Sequence, residues 1–535
     1  MRILYNARIY TLDSGRPTAS AIVLDGGRVL ALGEKDALQV EFGARSQLED
    51  MGGATIIPGL VDAHFHLENY ALGLQKVDCE TKSRAECLER VAERVRQTPA
   101  GEWVLGHGWN QNNWEEGFGT AQDLDQVAKD HPVYLTAKSL HAAWANSAAL
   151  QLANINKNTP DPQDGKLGRD ASGEPNGLLF ESAMDLMQAA LPEATPTQVA
   201  QAIQTAEQVL FRMGVTGVHD FDRRRCFVAL QELHQAGTLR LRVLKSIPLD
   251  DLPHAVALGI RTGFGDDTLR IGGVKMFADG ALGPRTAAML QPFEGEPENR
   301  GMLMLDSEEV FEHGSQAVEN GISLAVHAIG DRANHEVLDA FSQLRQFEKN
   351  LPSVGGDGSD RRPLRHRIEH VQLIHPDDAP RLAALGVIAS MQPIHAPSDM
   401  NMADKFWGER AALSYAWRTQ LDHGASLAFG SDAPVESPNP FWGLYAAVTR
   451  RGLDGSPGEQ GWYPEQRLSL MEALHGFTIG AAYAAGTEDH QGRLLPGYLA
   501  DLLVLPEDPF TCSPEALKDM RPTATMIGGR WVYRD

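Results

Sequence analysis

Eight short β-branched or apolar runs constrain the fold of this chain more than any other feature. They span 55–66, 215–220, 241–248, 269–279, 323–330, 366–373, 387–393 and 426–433, and most lead into a helix-like stretch. Parallel neighbours need a crossover of a dozen or more residues, usually a helix, so this alternation predicts one parallel sheet. Eight strand-then-helix units predict an α/β chain folded as a (β/α)8 (TIM) barrel, whose site chemistry sits at the C-terminal strand ends.

The gap between the first and second runs is too long for one crossover, so about 70–210 is read as a large insertion after barrel strand one. It carries strand-like pieces at 103–108 and 133–137 and helical ones at 85–96 and 196–212. Residues 1–55 read as short strands with an Asp25-Gly26 hairpin signal, and 492–535 has the same texture with a turn at Gly528-Gly529. Together they predict a small discontinuous β-sandwich domain, 1–55 plus 492–535, beside a barrel over 56–491. Residues 156–177 and 351–363 read as turn-rich loops. Residues 291–301, 396–410 and 437–464 follow strands four, seven and eight, and are expected as loops overhanging the barrel mouth.

A formal net charge of −23 argues against a nucleic-acid partner, and no apolar run approaches membrane-spanning length. The start, Arg2-Ile3-Leu4-Tyr5, alternates like a strand and lacks the layout of a signal peptide. The four cysteines, Cys79, Cys87, Cys226 and Cys512, are scattered without disulfide or metal spacing, so a reducing cytoplasm is expected.

Chemistry-bearing residues gather where the barrel predicts its mouth. Run one ends Asp62-Ala63-His64-Phe65-His66, which puts two imidazoles on one strand face. Run four carries Lys275, run five His327, run six Glu369-His370 and run eight Ser431-Asp432. Taken singly, each has an ordinary reading: a hydrogen-bonded structural histidine, a helix-capping aspartate, a salt-bridged lysine. Jointly, four imidazoles and a carboxylate fit a catalytic divalent metal with a position open for water, and Zn²⁺ suits the donors. Such an ion brings the pKa of its water near 7, and Asp432 is placed to take that proton. An ammonium cannot ligate, so Lys275 belongs to the set only if its neutral amine takes up CO₂ as a carbamate able to bridge two ions.

This ordered set resembles the amidohydrolase superfamily of metal-dependent hydrolases over nearly the whole chain. The branch similar to N-substituted formamide deformylases (the amidohydrolase 3 type) is marked by Gly106-His107-Gly108-Trp109, Trp114, and His141 through Asn146-Ser147-Ala148-Ala149-Leu150. Further marks of the branch are Lys275 through Asp279-Gly280-Ala281-Leu282-Gly283, Arg285-Thr286-Ala287 and Gln392-Pro393, while the tail from Gly492 to Leu502 resembles an ending shared across the superfamily. The resemblance implies that His64, His66 and Asp432 hold one metal and His327 and His370 the other, with carboxylated Lys275 bridging. It implies hydrolysis of a small-molecule amide, formamide or related carbon–nitrogen bond by a metal-bound hydroxide. Asp432 would move the proton, and His141 is a candidate donor to the substrate carbonyl, with a structural histidine in a packed turn as its other reading. Trp109, Trp114, Asp279 and Arg285 are candidate substrate contacts, each with a packing or ion-pair reading beside it. His219 reads as structural, and Glu369 is expected to point away from its neighbour His370 along the strand, as a structural residue or one that supports the ligands from behind. Homodimers are common for this architecture.

Two other readings stand beside this one. One is a deaminase or cyclic-amide hydrolase on the same barrel; deaminase sites commonly work with one metal and no strand-four lysine carbamate, so Lys275 counts against a deaminase. A non-catalytic scaffold would have lost ligands, and here all six candidates are intact.

Overall fold

The computed structural model of the chain describes residues 1–111, 114–138, 142–163, 165–187, 190–351 and 364–535. Leu60–Phe65, Val215–Asp220, Arg242–Pro248, Leu269–Phe277, Leu324–Ala328, Arg367–His370, Ile388–Met391 and Leu427–Phe429 pair in that order, every pair parallel. The first and last strands close the ring: the Asp432 amide donates to the His64 carbonyl at 2.8 Å and the His66 amide to the Ala433 carbonyl at 2.9 Å. The chain is thus an α/β protein built on a (β/α)8 barrel.

Closure at this seam depends on residues that the hydrophobic pattern hides. The buried Asp62 carboxylate accepts from the Ser431 amide at 2.9 Å, from Ser431 Oγ at 2.5 Å and from the His64 amide at 3.1 Å. Strand eight approaches so closely that a Cβ on Gly430 would lie 2.4 Å from the His64 nitrogen, so only glycine fits. Burial pushes the Asp62 carboxyl up to about 7 against those hydrogen bonds. Asp62→Ala strands three donors at once and is expected to cost about 1–3 kcal/mol for the polar groups left unsatisfied, read from the urea midpoint. An unchanged midpoint would show that the seam does not need this carboxylate.

The helices cover the ring through apolar stripes. In Asp331–Asn350 the buried residues Val337, Leu338, Phe341 and Leu344 recur at helical spacing, and the other face is polar. Each such side chain contributes about 1.5–3 kcal/mol before chain entropy is subtracted.

Run 55–66 divides. Thr55–Pro58 lies in another sheet, antiparallel to Leu502–Leu505 and parallel to Arg2–Tyr10, and only Leu60–Phe65 enters the barrel. The break falls at Pro58-Gly59, where proline lacks an amide hydrogen and a Cβ on Gly59 would meet Thr216 at 2.5 Å. That other sheet runs Arg530–Arg534, Ala524–Ile527, Leu502–Leu505, Thr55–Pro58, Arg2–Tyr10, Thr18–Asp25, Arg28–Gly33, with Gln47–Asp50 also on Arg2–Tyr10. Alternation sorts its side chains by face. Leu4, Ile22 and Leu24 join Leu502 and Met526, whereas Ile3, Ala21 and Val23 meet Leu38 of the helix Lys35–Phe42.

Two of the expected overhanging loops contain helices, His395–Trp407 and Pro440–Thr449. The second begins on Asn439, whose side chain accepts from the Phe441 amide at 3.1 Å, with Pro440 at the first helical position. Asn-Pro was a readable start signal. The turn-rich stretch 156–177 holds most of a hairpin, Gly165–Arg169 with Pro175–Glu181.

Residues Ala71–Ala202 form a separate compact unit. Its six described strands run Gly165–Arg169, Pro175–Glu181, Ala142–Ala145, Val133–Ala137, Val104–Trp109, Val77–Asp78. Trp109 and Trp114 stack in its core with ring centroids 6.1 Å apart. Both indole nitrogens are engaged, Trp109 with the Leu135 carbonyl at 2.8 Å and Trp114 with Thr81 at 3.2 Å. No helix of the described residues is long and apolar enough to cross a membrane.

Candidate active site

Strand one projects His64 and His66 from one face at the C-terminal end of the barrel, and both rings aim Nε2 at one oxygen. Asp432 Oδ1 lies 3.4 Å from His64 Nε2 and 3.3 Å from His66 Nε2. Two metal–ligand bonds of about 2.0–2.2 Å meeting at a tetrahedral angle span that separation. One ligand atom each from His64, His370 and Asp432 lies within 4.8 Å of the other two.

The opposite ring nitrogens reveal which atom each histidine has free. His64 Nδ1 lies 2.6 Å from Glu369 Oε2 and His66 Nδ1 3.2 Å from Asp222 Oδ1. An ionised carboxylate only accepts, so each Nδ1 carries a hydrogen; the neutral His64 ring then keeps its lone pair on Nε2, and His66 offers Nε2 once its ring is neutral. His370 Nδ1 donates likewise to Gln392 Oε1 at 2.8 Å, again leaving Nε2. His327 is turned the other way: its Nε2 donates to the Gly280 carbonyl at 2.8 Å and Nδ1 is left to ligate. His327 and His370 stand edge to face, centroids 4.6 Å apart, and His370 lies 4.9 Å from His64.

Protonation follows burial. Burial and the neighbouring Lys275 hold His64 down at about 4 and His327 at about 3; burial and His327 hold His370 well below its ordinary value. Neutral imidazoles are what a metal needs. His66 behaves oppositely: burial works against its charge, but Asp222 and Asp432 raise it to about 9. Burial likewise opposes ionisation of Asp432, and the surrounding histidines outweigh it, holding the carboxyl well below its usual range. His370 and Asp432 adopt left-handed backbone, φ 77° and 60°, a strain that non-glycine residues keep where the surroundings over-determine it.

Lys275 is 4% exposed. Its Nζ lies 3.5 Å from His64 Nε2, 4.3 Å from the Phe221 ring centre and 5.0 Å from that of Phe277. Burial brings its ammonium down to about 8, against the pull of Glu369 and Asp432. Beside it opens a cavity of about 640 Å³, its lining including His66, Asp222, Lys275, Phe221, Phe277 and Met304.

The candidate substrate contacts each have partners of their own. Asp279 has its carboxylate taken by the amides of Ala288, Ile329 and Gly330 at 2.8–3.0 Å, so it pins the loops after strands four and five. Burial raises it to about 7, and Oδ1 stands 3.5 Å from His327 Nε2. Arg285 pairs with Glu296 and lies over the Phe406 ring at 5.3 Å. Trp109 and Trp114 pack within their own unit, and His141 lies outside the described residues. His219 is buried against Arg367, Nδ1 to Nη1 2.9 Å.

Two partners, Asp222 and His395, escaped the sequence reading, and a third, Glu369, was named without its partner. Asp222 stands two residues beyond Asp220 at the end of strand two, so period-two alternation pointed to it. Beyond His66 it accepts from the Glu68 amide at 2.6 Å and the Asn69 amide at 3.3 Å. His395, one turn past strand seven, donates from Nε2 to the Ser431 carbonyl at 3.1 Å beside Asp432. Glu369 was expected to point away from His370, and alternation does turn it from that neighbour's strand face. It turns inward, onto His64, because Arg367 and Glu369 line the barrel interior and the left-handed φ at His370 ends the alternation there.

Residues 47–533 match the model of the amidohydrolase family. The chain is 29% identical to the N-substituted formamide deformylase of Arthrobacter pascens, over 99% of this chain and 98% of that one. It is 32% identical to the protein LONG AFTER FAR-RED 3 of Arabidopsis thaliana, over 99% and 91%. A metal-dependent hydrolase from Pyrococcus furiosus, described as uncharacterized, superposes with a TM-score of 0.78 at 30% identity, covering 95% of this chain and 100% of that one.

Proposed function

The chain belongs to the amidohydrolase family, metal-dependent hydrolases of carbon–nitrogen bonds, and from that premise we propose that it hydrolyses small non-peptide amides of the formamide type. The observation that carries the reading is the convergence of His64 Nε2 and His66 Nε2 on Asp432 Oδ1, each ring fixed from behind by a carboxylate. The donor set of imidazole nitrogens and one carboxylate suits Zn²⁺. His64, His66 and Asp432 would hold one ion and His327 and His370 a second, with Lys275 as a carbamate between them; a lysine brought down to about 8 favours that modification.

Bound there, a divalent ion supplies an acidified water and polarises the substrate carbonyl. The remaining steps belong to the chain's own residues. Asp432, ionised and beside both strand-one rings, takes the water's proton and returns it to the departing nitrogen. Phe221, Phe277 and Met304 offer apolar surface to the substrate. A cavity of about 640 Å³ admits a small-molecule amide, and the similarity to a formamide deformylase supports a formamide-like substrate.

Two measurements test this together: metal content of the purified protein, and turnover on a panel of N-formyl, N-acyl and cyclic amides. A protein holding one or two divalent ions per chain and cleaving an N-formyl amide is the expected result. A metal-free protein would overturn the reading in favour of a scaffold, and turnover confined to cyclic amides would favour the cyclic-amide hydrolase.

A further inference from the structure

The interior of the barrel beneath the site holds an ion pair that the proposed reaction does not use. Arg367 Nε and Glu369 Oε1 stand 2.7 Å apart on one strand, both side chains 5% exposed or less. Arg367 also donates from Nη1 to His219 Nδ1 at 2.9 Å and to the Ala63 carbonyl at 3.3 Å, which ties strand six to strands two and one. Its guanidinium lies 5.0 Å from the Phe221 ring centre. The other oxygen of Glu369 reaches His64 Nδ1 at 2.6 Å.

We propose that Glu369 is a positioning residue for the metal. It holds His64 as the Nδ1–H tautomer with Nε2 aimed at the ion, and it raises the basicity of that nitrogen. Arg367 serves to keep Glu369 in place. A carboxylate behind a ligating imidazole fixes ring orientation and strengthens the ligand. Among the carboxylates behind the strand-one histidines, Glu369 is the dedicated one. Asp222 divides its oxygens among His66, the Glu68 and Asn69 amides and the Asn69 side chain, whereas Glu369 serves His64 and Arg367. The shorter contact, 2.6 Å against 3.2 Å, agrees with that division. The inference rests on His64 being a ligand, as the proposed function has it.

The test measures Zn²⁺ affinity of the stripped protein by competition with a chromogenic chelator, which needs no substrate. Glu369→Gln keeps shape and an acceptor oxygen but removes the charge, and Zn²⁺ binding is expected to weaken about 10–100-fold. Because that change leaves the Arg367 guanidinium buried without its carboxylate, the double variant Arg367→Met with Glu369→Gln is measured beside it. The same loss in the double variant supports positioning through His64. Restored affinity there would assign the loss to the stranded arginine and overturn the proposal. Glu207→Gln is the control for burying a neutral group: that carboxylate is buried and accepts from the Arg240 and Leu241 amides, away from the site. It is expected to bind Zn²⁺ as the parent does, and an equal loss in this control would also overturn the proposal. If the parent chain itself binds no Zn²⁺, the metal-dependent reading fails first; a parent that binds with Glu369→Gln unchanged sinks only the role of Glu369.

Discussion

Replacing Asp432 by asparagine (Asp432→Asn) is expected to lower kcat by about 10²–10⁴-fold, the usual share of a general acid–base group. Metal content should stay near that of the parent. Asparagine keeps the shape and an oxygen toward His64 and His66, whose Nε2 atoms lie 3.4 and 3.3 Å from Oδ1, but it cannot accept a proton. The ionised state matters here, because the surrounding histidines hold Asp432 well below the ordinary carboxylate range despite its burial. Backbone geometry should survive the change, since φ of 60° at this position is tolerated by asparagine as readily as by aspartate. Steady-state turnover and metal analysis on the same sample decide the matter. Loss of both together would make Asp432 a ligand first and a base second. Near-parental turnover would remove it from proton transfer altogether.

Lys275→Met should cost about 10²-fold or more in turnover and reduce the bound metal to one ion at most. Lewis-acid stabilisation is worth several kcal/mol, and each 1.4 kcal/mol is a factor of ten. Methionine fills the slot between Phe221 and Phe277, so the fold is expected to tolerate it. Carbamate formation also has a pH signature with a definite sign. Only the neutral amine reacts with CO₂, and a lysine near 8 is neutral to about one part in ten at pH 7 and half neutral at pH 8. Uptake of ¹³CO₂ by the stripped protein, at fixed dissolved CO₂, should therefore rise from pH 6.5 to 8.5, as read by a carbamate resonance that Lys275→Met lacks. A flat profile, or a resonance that persists in the variant, would exclude carboxylation at this position.

The barrel was legible because its strands are buried on both faces and read as continuous apolar runs, between helices that carry a 3.6-residue stripe. The second barrel strand, Val215–Asp220, begins and ends where its β-branched run does. Misreadings came where backbone geometry overrode side-chain pattern. Run 55–66 reads as one stretch, yet Pro58-Gly59 hands its first half to another sheet. Residues 396–410 looked like a polar loop because the helix His395–Trp407 alternates short polar and apolar residues without a capping side chain.

Which residues could do chemistry was written in the sequence: His-x-His on one strand, then lysine, two histidines and an aspartate, each at the end of its own strand. Residue type and strand order suffice for that, because parallel strands in a closed barrel bring their C-terminal ends to one rim. How those residues are held was decided only in three dimensions. Asp62, Asp222, Arg367 and Glu369 act across the barrel on partners up to 369 positions away in the chain, as Asp62 does on Ser431, and no local pattern encodes such a pairing. The direction of each imidazole depends on what lies behind it: a carboxylate for His64 and His66, an amide oxygen for His370, a backbone carbonyl for His327. Only closing the ring puts those acceptors in place, and with them the ring nitrogen each histidine can offer to a metal.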